Sequence, residues 1–123
     1  MESLNKVTLI GNLAADVELR ETTSGKKVAN FPLAINRKIK NGKEEHETVD
    51  FHRVITWGKL AKKCEQCLSR GLPVLVEGEL INRSFDDKEG CRHYRTEVVA
   101  KNVAILASRK SRENVEVLFG SIS

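Results

Sequence analysis

The sequence predicts an all-β barrel carrying one helix, and three observations predict it. Short β-branched and aliphatic runs recur between turn signals, a single stretch shows helical spacing, and one turn cluster splits a long strand-like stretch into a hairpin. At 123 residues the chain fits one compact domain that can bury its own core without disulfide or metal staples.

The first strand lies within residues 4–11, where Val7-Thr8-Leu9-Ile10 runs into Gly11-Asn12. A short piece over residues 17–22 precedes the turn signal Thr23-Ser24-Gly25. Over residues 28–35, Ala29, Phe31, Leu33 and Ile35 alternate with the period of a half-buried strand. Pro32 interrupts that run, which predicts an edge position or a bulge, because proline has no N–H to give to a ladder. Residues 36–47 are polar, rich in Lys and Glu, and read as a connection with an Asn41-Gly42 turn. A third main strand follows over residues 48–57. Residues 59–70 then switch to helical spacing, with Leu60, Cys64, Cys67 and Leu68 on or beside one face. Arg70, Gly71 and Pro73 supply the stop. Val74-Leu75-Val76 opens a strand to residue 83, and Asp86-Asp87-Lys88-Glu89-Gly90 turns a protruding hairpin over residues 81–97. The last strand covers residues 96–107. Five main strands, a helix between the third and fourth and a hairpin between the fourth and fifth are the order of an OB-fold, a five-stranded Greek-key barrel. That domain takes residues 1–107. Residues 108–123 are a short tail, from Arg109-Lys110-Ser111-Arg112-Glu113 to the apolar Val115-Glu116-Val117-Leu118-Phe119, expected to be flexible or to pack on the barrel or a neighbouring subunit.

Composition narrows the function classes. Twenty-one Lys and Arg against 17 Asp and Glu leave a net charge of +4, a mild bias compatible with a polyanionic partner. No run approaches the roughly 20 apolar residues of a membrane span. The opening Met1-Glu2-Ser3-Leu4-Asn5-Lys6 lacks an apolar core, so no signal peptide and no membrane association are expected, and a cytoplasmic place is. Cys64, Cys67 and Cys91 fit a reducing compartment. Cys64 and Cys67 have the spacing of a zinc or redox half-site, but a structural zinc needs four ligands, and Cys91, His46, His52 and His93 are scattered. Cys64, one turn from Leu60 and from Leu68, reads instead as a small core residue. No nucleophile elbow, phosphate loop or HExxH pair is present, so no enzyme activity, metal or cofactor is expected.

Aromatics are 5% of the chain, so their placement is informative. Period-2 geometry puts Phe51, Arg53, Ile55 and Trp57 on one face of the third strand, and Asp50, His52, Val54 and Thr56 on the other. An Arg between a Phe and a Trp is awkward in a sealed core and natural on a surface that stacks bases and neutralises phosphates. In the hairpin Arg83 and Phe85 share a face, with Arg92 and Arg95 on the returning arm. Arg37, Lys38, Lys40 and Lys43 fill the polar connection, and Lys59 follows Trp57. The bland alternative is that Phe and Trp are core and the lysines merely solvated; alternation alone leaves both faces of residues 50–57 open.

The segments Asn5-Lys6-Val7-Thr8-Leu9-Ile10-Gly11-Asn12-Leu13, Val28-Ala29-Asn30-Phe31-Pro32-Leu33-Ala34, Phe51-His52-Arg53-Val54-Ile55-Thr56-Trp57-Gly58-Lys59-Leu60-Ala61, Val76-Glu77-Gly78-Glu79-Leu80 and Tyr94-Arg95-Thr96-Glu97-Val98 resemble, in order, those of the bacterial-type single-stranded DNA-binding proteins. The resemblance implies an OB-fold that coats single-stranded DNA without sequence preference, protecting it and removing secondary structure during replication, recombination and repair. It implies stacking on Phe51, Trp57 and Phe85, a homotetramer with a dimer as the alternative, and a subunit interface that includes His52 and Lys6. It implies a cytoplasmic, nucleoid-associated bacterial protein, with a phage or plasmid origin, or a truncated chain, as the alternatives that an absent acidic tip leaves open. The family's acidic tip is not seen in Phe119-Gly120-Ser121-Ile122-Ser123, so recruitment of replication enzymes through such a tip is not expected. The rival within the fold is a protein-interaction module whose DNA affinity is secondary.

A fourth stacking position of the family falls at Ile39, which has no π face. Since stacking contributes about 1–3 kcal/mol per base, Ile39→Trp is expected to tighten binding to an oligothymidine in a fluorescence titration, and an unchanged affinity would remove Ile39 from the stacking path.

Overall fold

The computed structural model describes residues 1–106 and 115–119. Its elements are β1 (Val7–Leu13), β2 (Glu18–Glu21), β3 (Lys27–Asn41), β4 (Glu44–Trp57), α1 (Gly58–Cys67), β5 (Pro73–Asp86), β6 (Arg92–Leu106) and β7 (Val115–Phe119). Five of them close a barrel in the order β1-β5-β6-β4-β3 and back to β1, through the antiparallel pairs Asn12↔Ala34 and Leu13↔Leu33. One contact is parallel, β4 beside β6 at Val54↔Val98 and Ile55↔Val99. This is the expected Greek-key barrel, and among the described residues its one helix lies between the third and fourth barrel strands. β2 lies outside the ring on the first half of β3, and β7 pairs with the end of β6. The expected boundary between residues 107 and 108 falls outside the described residues.

The barrel closes where β3 changes neighbour. β2 pairs with it through Asn30, and β1 takes over from Leu33. Pro32 sits in the gap, and its carbonyl accepts the N–H of Ala14 at 2.9 Å. In an antiparallel strand a residue's N–H and C=O point to the same side, so the proline's missing donor falls where no strand would use it. The edge expected for Pro32 is thus a local one inside a long strand.

The core is filled by inward residues of every barrel strand: Leu13, Phe31, Leu33, Val54, Val74, Val76, Val98 and Val103, with Leu60, Cys64 and Leu68 from the helical segment packed against them. Burying each large side chain contributes about 1.5–3 kcal/mol. Thr56, also buried, donates its hydroxyl to the carbonyl of Ala29 at 3.2 Å, so its polar atom is not orphaned. Asn5 precedes β1 and extends its ladder by side chain: Nδ2 donates to the Leu80 carbonyl at 2.7 Å, and Oδ1 accepts the Leu80 N–H at 2.9 Å.

Three boundaries differ from the sequence expectation. The first strand spans Val7–Leu13 and not residues 4–11, because Gly11 and Asn12 pair with Val74 and Pro73 of β5 and carry the ladder past the expected stop. Residues 36–47 are not a loose connection. β3 and β4 continue as a ribbon to a tight turn at Gly42-Lys43, where Gly42 has φ +68°. A ribbon held by its own ladder needs no apolar face, and Lys38↔Glu47 and Lys40↔Glu45 set opposite charges across it. The helix ends at Cys67 rather than Arg70. Leu68 turns extended to bury its side chain, and the following residues tie to the β1–β2 region: Gly71 donates to Leu13 and the Arg70 N–H to the Asp16 carboxylate.

Two strand glycines are fixed by close approach. A Cβ on Gly78, at the bulge in the β5–β6 pairing, would lie 2.0 Å from the Val99 carbonyl oxygen. On Gly11 it would lie 2.4 Å from that of Ala34, next to the barrel closure. Gly78→Ala and Gly11→Ala are each expected to lower the unfolding free energy by about 1–3 kcal/mol or more, as over-packed sites do, measured by urea denaturation.

Candidate nucleic-acid interface

Alternation along β4 leaves two possible cores, and the structure selects one. Val54 and Thr56 face the barrel interior. The face bearing Phe51, Arg53, Ile55 and Trp57 is therefore external, and Phe51 is 66% exposed and Trp57 39%. Phe85, on the arm formed by the far halves of β5 and β6, is 43% exposed. These are planar apolar faces left in water by a domain that had core positions to offer.

Cationic side chains join them. Trp57 forms a wall common to two concavities. One, of about 470 Å³, lies toward the helix and is lined by Gly25, Lys26, Lys27, Gly58, Lys59 and Lys62. The other, of about 230 Å³, runs over β4 between Arg20, Asn30, Arg53, Ile55 and Arg83. The groove leads to a buried acid that the sequence did not single out. Glu97 is only 1% exposed, and Arg53, Arg83 and Arg95 converge on it with Nε 2.9, 3.0 and 3.2 Å from its oxygens. A buried carboxylate is strongly penalised unless paired, and here three guanidiniums pair it.

Beyond this cluster Phe85 is held from its cross-strand side. The His93 ring stacks on it with centroids 5.4 Å apart, and the Arg95 guanidinium carbon lies 5.3 Å from its centroid. His93 Nε2 is in turn 2.6 Å from Asp87 Oδ2, while Asp87 Oδ1 accepts the N–H groups of Glu89 and Cys91 at the hairpin turn. The hydrogen bond from His93, followed by those from the turn amides, holds the Asp87 carboxyl below the usual range.

Of the residues expected at the interface, Phe51, Trp57, Phe85, Arg53, Lys59, Arg83 and Arg95 share this outer surface. Arg37, Lys38, Lys40 and Lys43 instead lie on the β3–β4 ribbon with Glu44, Glu45 and Glu47, and Asp50 stands at its base. Arg37 binds Asp50 at 2.7 Å, raising its own pKa and lowering that of the carboxyl, and Lys38 lies 4.0 Å from Glu45. Strand alternation places Ile39 with Arg37 and His46, on the ribbon face opposite Lys38 and Lys40. Arg92 likewise takes the opposite face of its arm from Phe85 and pairs with Asp86 at 3.3 Å. His52, half-buried, alternates away from Phe51, and Lys6 borders a separate concavity of about 320 Å³ with Leu4, Asn5 and Glu79.

Sequence reasoning missed Arg20, Lys26, Lys27, Lys62, His93 and Glu97. The Lys26-Lys27 pair directly after the Gly25 turn was a readable signal. Glu97 was not, because its neighbours come from three strands.

The three cysteines do not gather: burial pushes the Cys64 thiol up to about 12, while Cys67 is exposed at the end of α1 and Cys91 in the turn between β5 and β6. Among the described residues no group of three His, Cys, Asp or Glu is placed to hold a metal, and no helix is long and apolar enough to cross a membrane.

The depressed Asp87 carboxyl stabilises the turn fully above its ordinary pKa near 4 and loses that contribution as pH falls through its lower folded value. Amide exchange at Glu89 and Cys91 should therefore accelerate on acidification below about pH 4, beyond the intrinsic pH trend, and Asp87→Asn should abolish that step.

A sequence profile of the Single-strand binding protein family matches residues 4–106. The chain is 44% identical over 110 residues to a protein of Chlorobaculum tepidum called single-stranded DNA-binding protein 1, covering 88% of this chain and 68% of that one. It is 40% identical over 116 residues to a protein of the same designation from Staphylococcus aureus, covering 94% and 74%. Among solved structures, a Plasmodium falciparum SSB in complex with ssDNA superposes with a TM-score of 0.81 at 26% identity, covering 87% of this chain and 98% of that chain.

Proposed function

The chain belongs to the single-strand binding protein family, and on that premise we propose that it binds and coats single-stranded DNA without sequence preference, as a binding protein and not as an enzyme. The observation that carries the reading is the pairing of three exposed aromatic faces, Phe51, Trp57 and Phe85, with the arginines between them. A base can stack on any such face whatever its identity, and the guanidiniums neutralise the phosphates without reading base edges. Coating of this kind protects the strand and melts its secondary structure, because paired bases cannot stack on protein; its place is in replication, recombination and repair.

Assembly as a homotetramer, with a dimer as the alternative, belongs to the same proposal and rests on the family resemblance. His52 and Lys6, which lie off the aromatic surface, are the residues assigned to the subunit interface. Several barrels on one strand would raise affinity through multivalency. A cytoplasmic, nucleoid-associated location follows from the proposed ligand.

Trp57 is the only tryptophan and lines both concavities, so it is a built-in probe. Titration with a long oligothymidine is expected to quench its fluorescence strongly, with affinity falling as salt rises by a slope of about −0.7 per phosphate neutralised. Unchanged fluorescence with no detectable binding would overturn the reading and favour a protein-interaction module of the same fold.

A further inference from the structure

Arg53, Arg83 and Arg95 are usually the kind of residues one would count as three independent phosphate contacts. Their common partner argues otherwise. Glu97 stands on β6 with Arg95 two residues before it on the same face, and Arg83 lies cross-strand from Arg95. Arg53 of β4 comes in from the other flank, where β4 runs parallel to β6. One carboxylate thus occupies the centre of three guanidiniums contributed by three strands.

The contact geometry leaves each arginine half used. All three closest approaches to Glu97 are through Nε, the inner edge of the guanidinium fork. The arginine side chains themselves remain 41–50% exposed. Arg53 Nε, 2.9 Å from Glu97 Oε2, and Glu97 Oε1, 3.0 Å from Arg83 Nε, are both buried, yet neither makes a hydrogen bond of good angle. Three positive charges against one negative leave a surplus of two at this spot. Without the carboxylate, three guanidiniums would repel one another and spread into solvent.

We propose that Arg53, Arg83 and Arg95 form one seat for a single backbone phosphodiester, and that the buried Glu97 is the positioning residue that builds it. The seat lies between two stacking faces: Arg53 and Arg83 border the groove at Trp57, and Arg95 lies against Phe85. The phosphate held there would connect the nucleotides stacked on those rings. A guanidinium drawn in at Nε by the ion pair to Glu97 keeps its outer nitrogens toward solvent, where they can take a phosphate as a fork. The inference rests on the single-strand reading above and adds to it an acid that binds nothing itself.

The test exploits a sign. Glu97→Gln deletes a negative charge from a cationic surface, so charge alone predicts tighter binding. A positioning role predicts the reverse: oligothymidine affinity about tenfold weaker, and a salt slope smaller by about 0.7, one phosphate's worth on a single strand. A thermal melt by circular dichroism establishes that the variant is folded. Equal or tighter binding by folded Glu97→Gln, with an unchanged slope, overturns the proposal. Should Glu97→Gln not fold, Arg53→Gln/Arg95→Gln decides, since it leaves Glu97 in place. One shared phosphate predicts a slope loss of about 0.7. A loss of about 1.4, the value for two separate phosphates, or no loss at all, overturns the proposal. Wild-type protein that fails to bind oligothymidine refutes the single-strand reading and this inference together; wild-type binding with a Glu97→Gln gain refutes the inference alone.

Discussion

Closure of the barrel through β3 is the constraint on which the rest of the structure depends. A single strand serves β2 along one part of an edge and β1 along the next, and the exchange occurs at Pro32. Only because β3 turns from one neighbour to the other can β1 meet it and leave no open end between them. The crossing brings β1 so near that Gly11 has no room for a side chain. Once the ring is shut, the interior is full, and the alternation of β4 has no freedom left: Val54 and Thr56 go in, and Phe51 and Trp57 must stay out. The exposed aromatics are thus a product of topology as much as of composition.

The same topology sorts the cations. The chain's net charge is modest, but its distribution is uneven. The β3–β4 ribbon sets Glu44, Glu45 and Glu47 against Arg37, Lys38, Lys40 and Lys43, and Asp50 at its base takes Arg37. The surplus positive charge collects on the barrel around Trp57 and Glu97. A polyanion meets a local field and not the average one, so the barrel surface, more than the ribbon, is where attraction is focused.

Much of this was legible in the sequence, and the failures have physical causes. The strand order, the hairpin at residues 86–90 and the helix were readable because each has a local signal: a turn cluster, a change of period, a run of β-branched residues. Phe51, Trp57 and Phe85 were readable because arginines alternate with them, which a sealed core would not accept. The choice of face was not, since it turns on Val54 meeting Val98 of a strand more than forty residues later. Residues 36–47 looked like a loop because hydrophobic periodicity detects a buried face, and a two-stranded ribbon in water has none. The helix end was misread because Leu68 leaves the helix to fill the core, a tertiary demand that outweighs the stop signal at Arg70-Gly71. Glu97 escaped notice because an acid in a strand says nothing until the register shows three arginines around it.

The ribbon beyond residue 36 has a consequence for the energetics of the whole chain. Its backbone hydrogen bonds are made strand to strand, its side chains are exposed from Asn36 to Glu47, and none of them reaches the core cluster. Its residues therefore share little of the barrel's burial energy, and opening it sacrifices only the ladder and a few surface ion pairs. By burial alone the ribbon belongs at the low end of the range of local opening free energies within this domain, and the barrel strands at the high end.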